Sequence, residues 1–251
     1  MATMVNVRAR STMKILEIAV KKKVQFGYIS ARTLVLLVAL IVLGLYANSR
    51  SWHAHESSLS ASDRSALLAC RSELLNRAAP ALSIDPVQSK RASCAPFMLN
   101  DVTVTPLADF VVQARVLGKE RYRFDAAAKW APIDLALGWG QMANDAVLKH
   151  IEISQSGRFF FWMTPNFPIP RHEIERSSAN MHLLPANDQV LSALGRAKPG
   201  QYVRLWGYLV RLNRADGYLW ASSMSRTDTG SGACEVIWVE KMEIGDVPIG
   251  V

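Results

Sequence analysis

The chain has 251 residues, a formal net charge of +8 and a composition that is 50% hydrophobic. That length suits one domain with a substantial core and an appendage. Residues 1–47 hold seven basic residues against one acidic (+6), whereas residues 48–251 hold 22 against 20 (+2), so the basicity belongs to the first segment and the footprint of a nucleic-acid-binding domain is excluded.

Residues 33–47 read TLVLLVALIVLGLYA, without a charge. These 15 residues are short for a bilayer span, but residues 26–47 make 22. At about 1.5 Å per residue the longer segment reaches roughly 33 Å, enough for a hydrocarbon core of about 30 Å. Arg32 lies inside it, near enough to an end to snorkel to the headgroups. Tyr28 and Tyr46 suit the two interfaces. Arg8, Arg10, Lys14, Lys21, Lys22, Lys23 and Arg32 precede the core, against Glu17 alone. The positive-inside rule then leaves residues 1–25 in the cytoplasm as a basic tail and exports residues 48–251. In a bacterial inner membrane the exported part is periplasmic. A cleaved signal peptide is the rival, but the basic region is too long for one, and Leu45-Tyr46-Ala47 is a poor cleavage site. An uncleaved transmembrane signal-anchor is the expected form. Residues 13–25 (MKILEIAVKKKVQ) read as a topogenic tail, with an amphipathic helix on the inner leaflet as the alternative.

Residues 48–100 read as a linker and a helical stalk. Ser62 or Asp63 caps a helix over ASDRSALLACRSELLNRAA, in which Leu67, Leu68, Leu74 and Leu75 recur at helical spacing, and Pro80 ends it. Residues 81–100 read as a loop held by Cys94. A Cys70–Cys94 disulfide fits an oxidising compartment. Cys234 is then left over and reads as a buried, inert thiol, with pairing to Cys70 or Cys94 left open.

Residues 101–251 read as a β-rich domain. Strand character starts near Val102, alternates through Phe110, Val112, Ala114 and Val116, and turns at Gly118-Lys119. Residues 125–149 read as a short helix and loop, then another helix near 144–149. HIEISQSGRFFFW reads as a hairpin turning at Gln155-Ser156-Gly157. Pro165, Pro168 and Pro170 enforce an extended segment. QYVRLWGYLVRL is a long strand, NRADG turns, and YLWASSMS returns. In CEVIWVEKM, Cys234, Val236 and Trp238 alternate with Ile237 and Val239. Gly207 in mid-strand suits a bent or bulged strand. The expected fold class is mainly β (α+β): a transmembrane helix, a short helical stalk, and a small antiparallel, partly open β-barrel of the OB kind. A fold of that kind carries no function by itself.

The runs APIDLALGWGQM, ISQSGRFFFW, RSSANMHLLPAN and TDTGSGACEVIWVE together resemble a widespread bacterial family of single-pass, membrane-anchored proteins with an exported β-rich domain. The resemblance covers roughly residues 100–240. It implies topology and carries over no catalytic residue.

Three histidines in the domain, His150, His172 and His182, offer metal ligands with Glu173 or Glu235, but their spacing follows no metal motif and no HExxH occurs. His182 with Ser177, Ser178 and Asp188 makes a nucleophilic set only if the fold brings them together, and no GxSxG elbow is present. Asp228-Thr229-Gly230 matches the aspartic-protease tripeptide. It occurs once and follows Ser225-Arg226-Thr227 instead of an apolar strand, so it reads as a glycine-rich turn. The candidate catalytic side chains are therefore His182, Asp228 and Glu235. The candidate ligand-binding residues are Trp139, Arg226 and Asp228, from an aromatic face shared with Trp162, Trp206, Trp220 and Trp238 and from exposed N–H groups of the glycine-rich loop. Core packing and loop ion pairs are the simpler readings of both. No metal site or cofactor is expected. The expected function is a binding or scaffold module that contacts an envelope protein, with no nucleic-acid partner. An envelope hydrolase or metal-dependent enzyme using His182, His172, Asp228 or Glu235 is the alternative.

Overall fold

The computed structural model describes residues 31–50, 55–228, 230 and 232–249. The chain divides into two compact units, Met1–Arg50 and Ser51–Val251.

The first unit contributes helix α1, Ala31–Arg50. Leucine, valine and isoleucine crowd its middle, and Leu34 through Leu43 are exposed on every side. Among the described residues no helix is long and apolar enough to cross a membrane. Residues 26–30 of the expected span, and the basic tail, lie outside the described residues.

In the second unit, helix α2 (Ala61–Leu75) starts at Ser60, whose Oγ accepts from the Asp63 N–H at 3.0 Å. The cap thus sits just ahead of Ser62 and Asp63. This helix is not a stalk. Leu67 and Leu74, one heptad apart, are buried in the same apolar cluster as Trp206, Tyr208 and Trp238. Arg71 Nε lies 3.2 Å from Glu240 Oε2, and Arg77 reaches the buried Asp109 at 2.6 Å. Residues 51–100, set apart by the sequence reading, therefore belong to the domain. The following segment supplies two short strands, β1 (Val87–Gln88) and β2 (Phe97–Leu99). Cys70 and Cys94 are joined in a disulfide with Cα atoms 5.4 Å apart, and Cys234 is free.

The fold turns on β3, Val102–Arg121. One edge pairs with β8 (Tyr202–Arg214) from Val102 to Arg115. The other edge takes β2, then β1, then β4 (Ile133–Gly138). Gly118 is therefore no turn. It marks a register shift inside the β3–β4 ladder, a bulge. β4 falls where the sequence suggested helix and loop. All six of its residues are buried, so it has no alternation to read. A 3-10 turn (Gly140–Ala143) and the single-turn helix α3 (Asp145–Leu148) follow. Strands β5 (Glu152–Ser156) and β6 (Phe159–Met163) form a separate two-stranded sheet. Its turn is Gly157-Arg158, with φ of 58° and 72°.

After helix α4 (Arg171–Arg176), strand β7 (Ser178–Pro185) pairs antiparallel with β4. Helix α5 (Asp188–Arg196), capped by the Asn187 side chain, leads back to β8. β9 (Leu219–Ala221) pairs with β8. β10 (Glu235–Gly245) lies between β7, to which it is parallel, and β8, to which it is antiparallel. The molecule is thus mostly β and rich in antiparallel pairs. The pairing β3-β4-β7-β10-β8 returns to β3, so the sheet is partly ring-like, without forming the barrel expected from the sequence. Strands β8-β3-β4-β7 follow the Greek-key order, with α5 on the long connection.

Alternation sorts the side chains into two cores. Phe110, Leu135, Met181, Leu209, Ile237 and Val239 share one cluster, closed by Val190 and Leu194 of α5. Val111, Tyr208, Val236 and Trp238 point the other way, onto α2, Phe97 and Trp130. The alternation expected for residues 236–239 matches this division. Gly207 permits a close crossing, since a Cβ there would overlap the Trp238 carbonyl. The β8–β10 register shifts beside it, after Val239.

The disulfide ties α2 to the segment that feeds β2, closing a loop with a separation of 24 residues. By the loop-entropy estimate such a link is worth about 3 kcal/mol. Cys94→Ser is expected to lose about that much in a urea unfolding curve. Thiol titration of the unreduced, unfolded wild type should find one free cysteine.

Candidate functional site

The β4–β7 register sets Asp134 opposite His182 and Ala136 opposite Asn180. Ile133, Leu135, Met181 and Leu183 enter an apolar core, so Asp134, Asn180 and His182 take the opposite face. There Asp134, 0% exposed, gathers a network. His182 Nδ1 lies 2.8 Å from Asp134 Oδ2, and Asn180 Nδ2 donates to the same oxygen at 3.3 Å. Arg158 donates to Asp134 Oδ1 at 3.0 Å and to the Ala131 carbonyl at 2.8 Å. Its other terminal nitrogen holds Asp125 at 2.8 and 3.0 Å. Gln155 Nε2 donates to Asn180 Oδ1 at 2.7 Å.

Two rings enclose the network. Trp220 lies against His182 with centroids 4.9 Å apart. Tyr122 stacks under the Arg158 guanidinium, 3.8 Å from its carbon, and its hydroxyl accepts from the Arg158 backbone N–H at 3.0 Å. Burial, then the Asp134 charge, pushes the Tyr122 phenol up to about 12. A buried carboxylate survives only when its partners replace the water it lost. Arg158 supplies that charge from the hairpin tip, so its left-handed backbone is held by what its side chain binds.

Beside the network a groove of about 250 Å³ runs between β6 and the first residues of β7. Phe159, Phe161 and Trp162 form one wall, Ser178 and Asn180 the other, with Cys234 at one end. Its charged lining is acidic, Glu175 and Asp228. Phe159, Phe161 and Met163 alternate outward along β6, at 43%, 51% and 63% exposed. β5 is the only strand that pairs with β6 among the described residues.

No family model, curated protein or solved structure matches this chain.

The sequence candidates distribute unevenly around this centre. His182 is in the network, and Asp228 lines the groove, its Oδ2 accepting from Ser223 Oγ at 2.6 Å. Cys234 lies beside both, and burial, aided by the Glu235 charge, pushes its thiol up to about 12. A thiol held protonated is a poor nucleophile. Among the described residues no serine, threonine or cysteine hydrogen-bonds to His182. His172 is exposed on α4 beside Glu173, at 3.4 Å, and His150 is exposed elsewhere. Ser178 bonds the Ile174 carbonyl. The four side chains of the enzyme alternative therefore do not meet. No group of three or more potential metal ligands occurs among the described residues. Trp139 is buried, its indole N–H donating to Asp85 at 3.2 Å, so it offers no ligand surface. Trp206 and Trp238 are core as well, while Trp162 and Trp220 keep some exposure. Asp134, Asn180 and Arg158 were missed. Their one sequence signal is a lone charge in the apolar run APIDLALG.

Glu235 points away from the network, into contact with Arg226. The two form an ion pair through Glu235 Oε1, while Arg226 Nε and Nη2 and Glu235 Oε2 find no hydrogen-bond partner among the described residues. Desolvation therefore outweighs the attraction of Arg226, and the Glu235 carboxyl is pushed from 4.5 up to about 7. Between those values the folded chain binds more protons than the unfolded one, so stability falls as pH rises through that window. Glu235→Gln should flatten the decline, which amounts to about 3 kcal/mol, when urea midpoints are compared at pH 5 and pH 7.5.

Proposed function

We propose that this protein is an inner-membrane-anchored, periplasmic binding module, and that it holds an extended segment of an envelope protein in the groove along β6. The observation that carries this reading is the free edge of β6, with an outward aromatic row, beside an aromatic-walled groove. An open strand edge recognises extended chain by backbone hydrogen bonds, and alternate side-chain pockets supply selectivity. Exposed apolar rows of this kind mark interaction sites. Asp228 forms no ion pair among the described residues, and the charged lining is acidic. The fitting segment therefore alternates apolar and basic residues.

Three further observations support the reading. The disulfide suits an oxidising compartment. The apolar α1, preceded by a basic tail, suits a signal-anchor with a cytoplasmic N-terminus. The ring order, taken with the Greek key, favours an OB-like reading of the sheet, with β4 and β7 as its second and third strands. Folds of that kind use the face of those strands and the loops after the first and fourth for ligands. Here those loops bring Tyr122, Asp125, Trp220 and Asp228 to the same place. This is an analogy of fold and adds weight only as such. The four runs that carry the family resemblance also meet there, through Asp134, Arg158, His182 and Cys234. In this reading the buried network is a rigid mount for the hairpin and takes no part in a reaction.

Two experiments test the proposal. A periplasm-active phosphatase fused after residue 60 should be active in cells, and a cytoplasm-active reporter at the same point should not. The full-length protein in neutral detergent should bind a nonapeptide of alternating valine and lysine. Phe161→Glu, or N-methylation of alternate peptide amides, should weaken binding about tenfold or more. Equal binding of the methylated peptide would remove strand pairing from the proposal. No binding of either peptide would remove the groove.

A further inference from the structure

A second cavity, far larger at about 840 Å³, lies where the end of β3 meets the end of α5. Four cations line it: Lys119 and Arg121 from β3, Arg196 at the end of α5, and Lys198 in the turn before β8. None of the four forms an ion pair among the described residues. Among the described residues no carboxylate lines the cavity. Asp246 stays outside, holding Gln201 Nε2 at 2.8 Å. Glu243, between the lining residues Met242 and Ile244, turns to the other face and pairs with Lys241 at 2.8 Å.

Part of this charge has a structural use. Lys119 Nζ donates to the Gly195 and Ala197 carbonyls at 2.7 and 2.9 Å, and Arg121 to Gly195 at 2.8 Å. These are free carbonyls at a helix C-terminus, where cations are favoured. Capping uses two of the three Lys119 donors and one of the five on Arg121. Arg196 meets only the Ser192 hydroxyl, and the Lys198 ammonium makes no hydrogen bond among the described residues. Helix capping therefore does not account for Arg196 and Lys198, nor for the unused donors. Lys119 also carries a cost. Burial and the neighbouring Arg121 bring its pKa down to about 8, a penalty that a bound anion would relieve. The floor, with Ala193, Pro199, Met242 and Ile244, is apolar.

We propose that this groove is an anion site for an organic phosphate, with the phosphate held among Arg121, Arg196 and Lys198 and the body of the molecule on the Met242–Ile244 floor. Arginine and lysine donors together suit a multiply charged tetrahedral anion better than a single carboxylate. The same phosphomonoester chemistry is presented by a soluble phosphate ester and by the headgroup of phosphatidic acid. The site uses none of the residues of the β6 groove, so either proposal stands or falls without the other.

The test uses full-length protein in a neutral detergent and two probes, glycerol 3-phosphate and dihexanoyl phosphatidic acid below its micelle concentration, titrated calorimetrically. Arg196 and Lys198 are exposed, so the double variant Arg196→Glu/Lys198→Glu leaves the core intact. Saturable binding that weakens about tenfold or more in the double variant, and also with added salt, is the expected result. Binding of glycerol 3-phosphate assigns the site to soluble esters. Binding of the short-chain lipid alone assigns it to headgroups. Absence of saturable binding by either probe, or equal binding by the double variant, would overturn the proposal.

Discussion

The constraint on which this domain rests is the satisfaction of both edges of one very long strand. β3 carries a donor and an acceptor at nearly every residue, and burial leaves little water to meet them. β8 covers one edge, while β2, β1 and β4 share the other in turn. Because β8 and β4 pair with opposite edges of one strand, the remaining pairings must come round to join them. That geometry places two faces of side chains in two separate cores, and it explains why so many strands are buried on both sides.

The network around Asp134 depends on this frame and constrains the hairpin in return. A carboxylate without water on the sheet face demands a cation, and the nearest chain able to deliver one is the β5–β6 turn. Arg158 therefore couples the hairpin to β4, and Asn180, which donates to both Asp134 and the Arg158 carbonyl, couples it to β7. For the proposed recognition along β6 the consequence is pre-organisation: these bonds tie the hairpin to β7, which leaves less conformational entropy for a bound segment to remove.

Much of this architecture was legible in the sequence where one side of an element differed from the other. The β5–β6 hairpin alternates and the leucines of α2 recur at helical spacing, while β8 and β10, buried on both faces in mid-strand, were legible from their β-branched and aromatic content. β4 was not legible, because a strand buried on both faces loses its period. α5 begins with an Asn cap that was passed over, and Gly118 was read as a turn when it relieves a ladder. For the site, His182 and Asp228 stood out as residue types. Asp134, Arg158 and His182 lie 24 to 48 positions apart in sequence, and only strand register decides that they meet. Trp139 and His172 show the converse, since residue type alone did not reveal that one is core and the other is on an open helix.

The parallel pairing of β7 with β10 bears on assembly. β10 follows every other strand in chain order, yet it occupies the position between β7 and β8. Until residues 235–245 arrive, both neighbours present bare, apolar edges of the kind that associate with other chains. Closure must wait for contacts distant in sequence, which form slowly. A chain emerging with its N-terminus first therefore cannot seal this sheet before residues 235–245 are made.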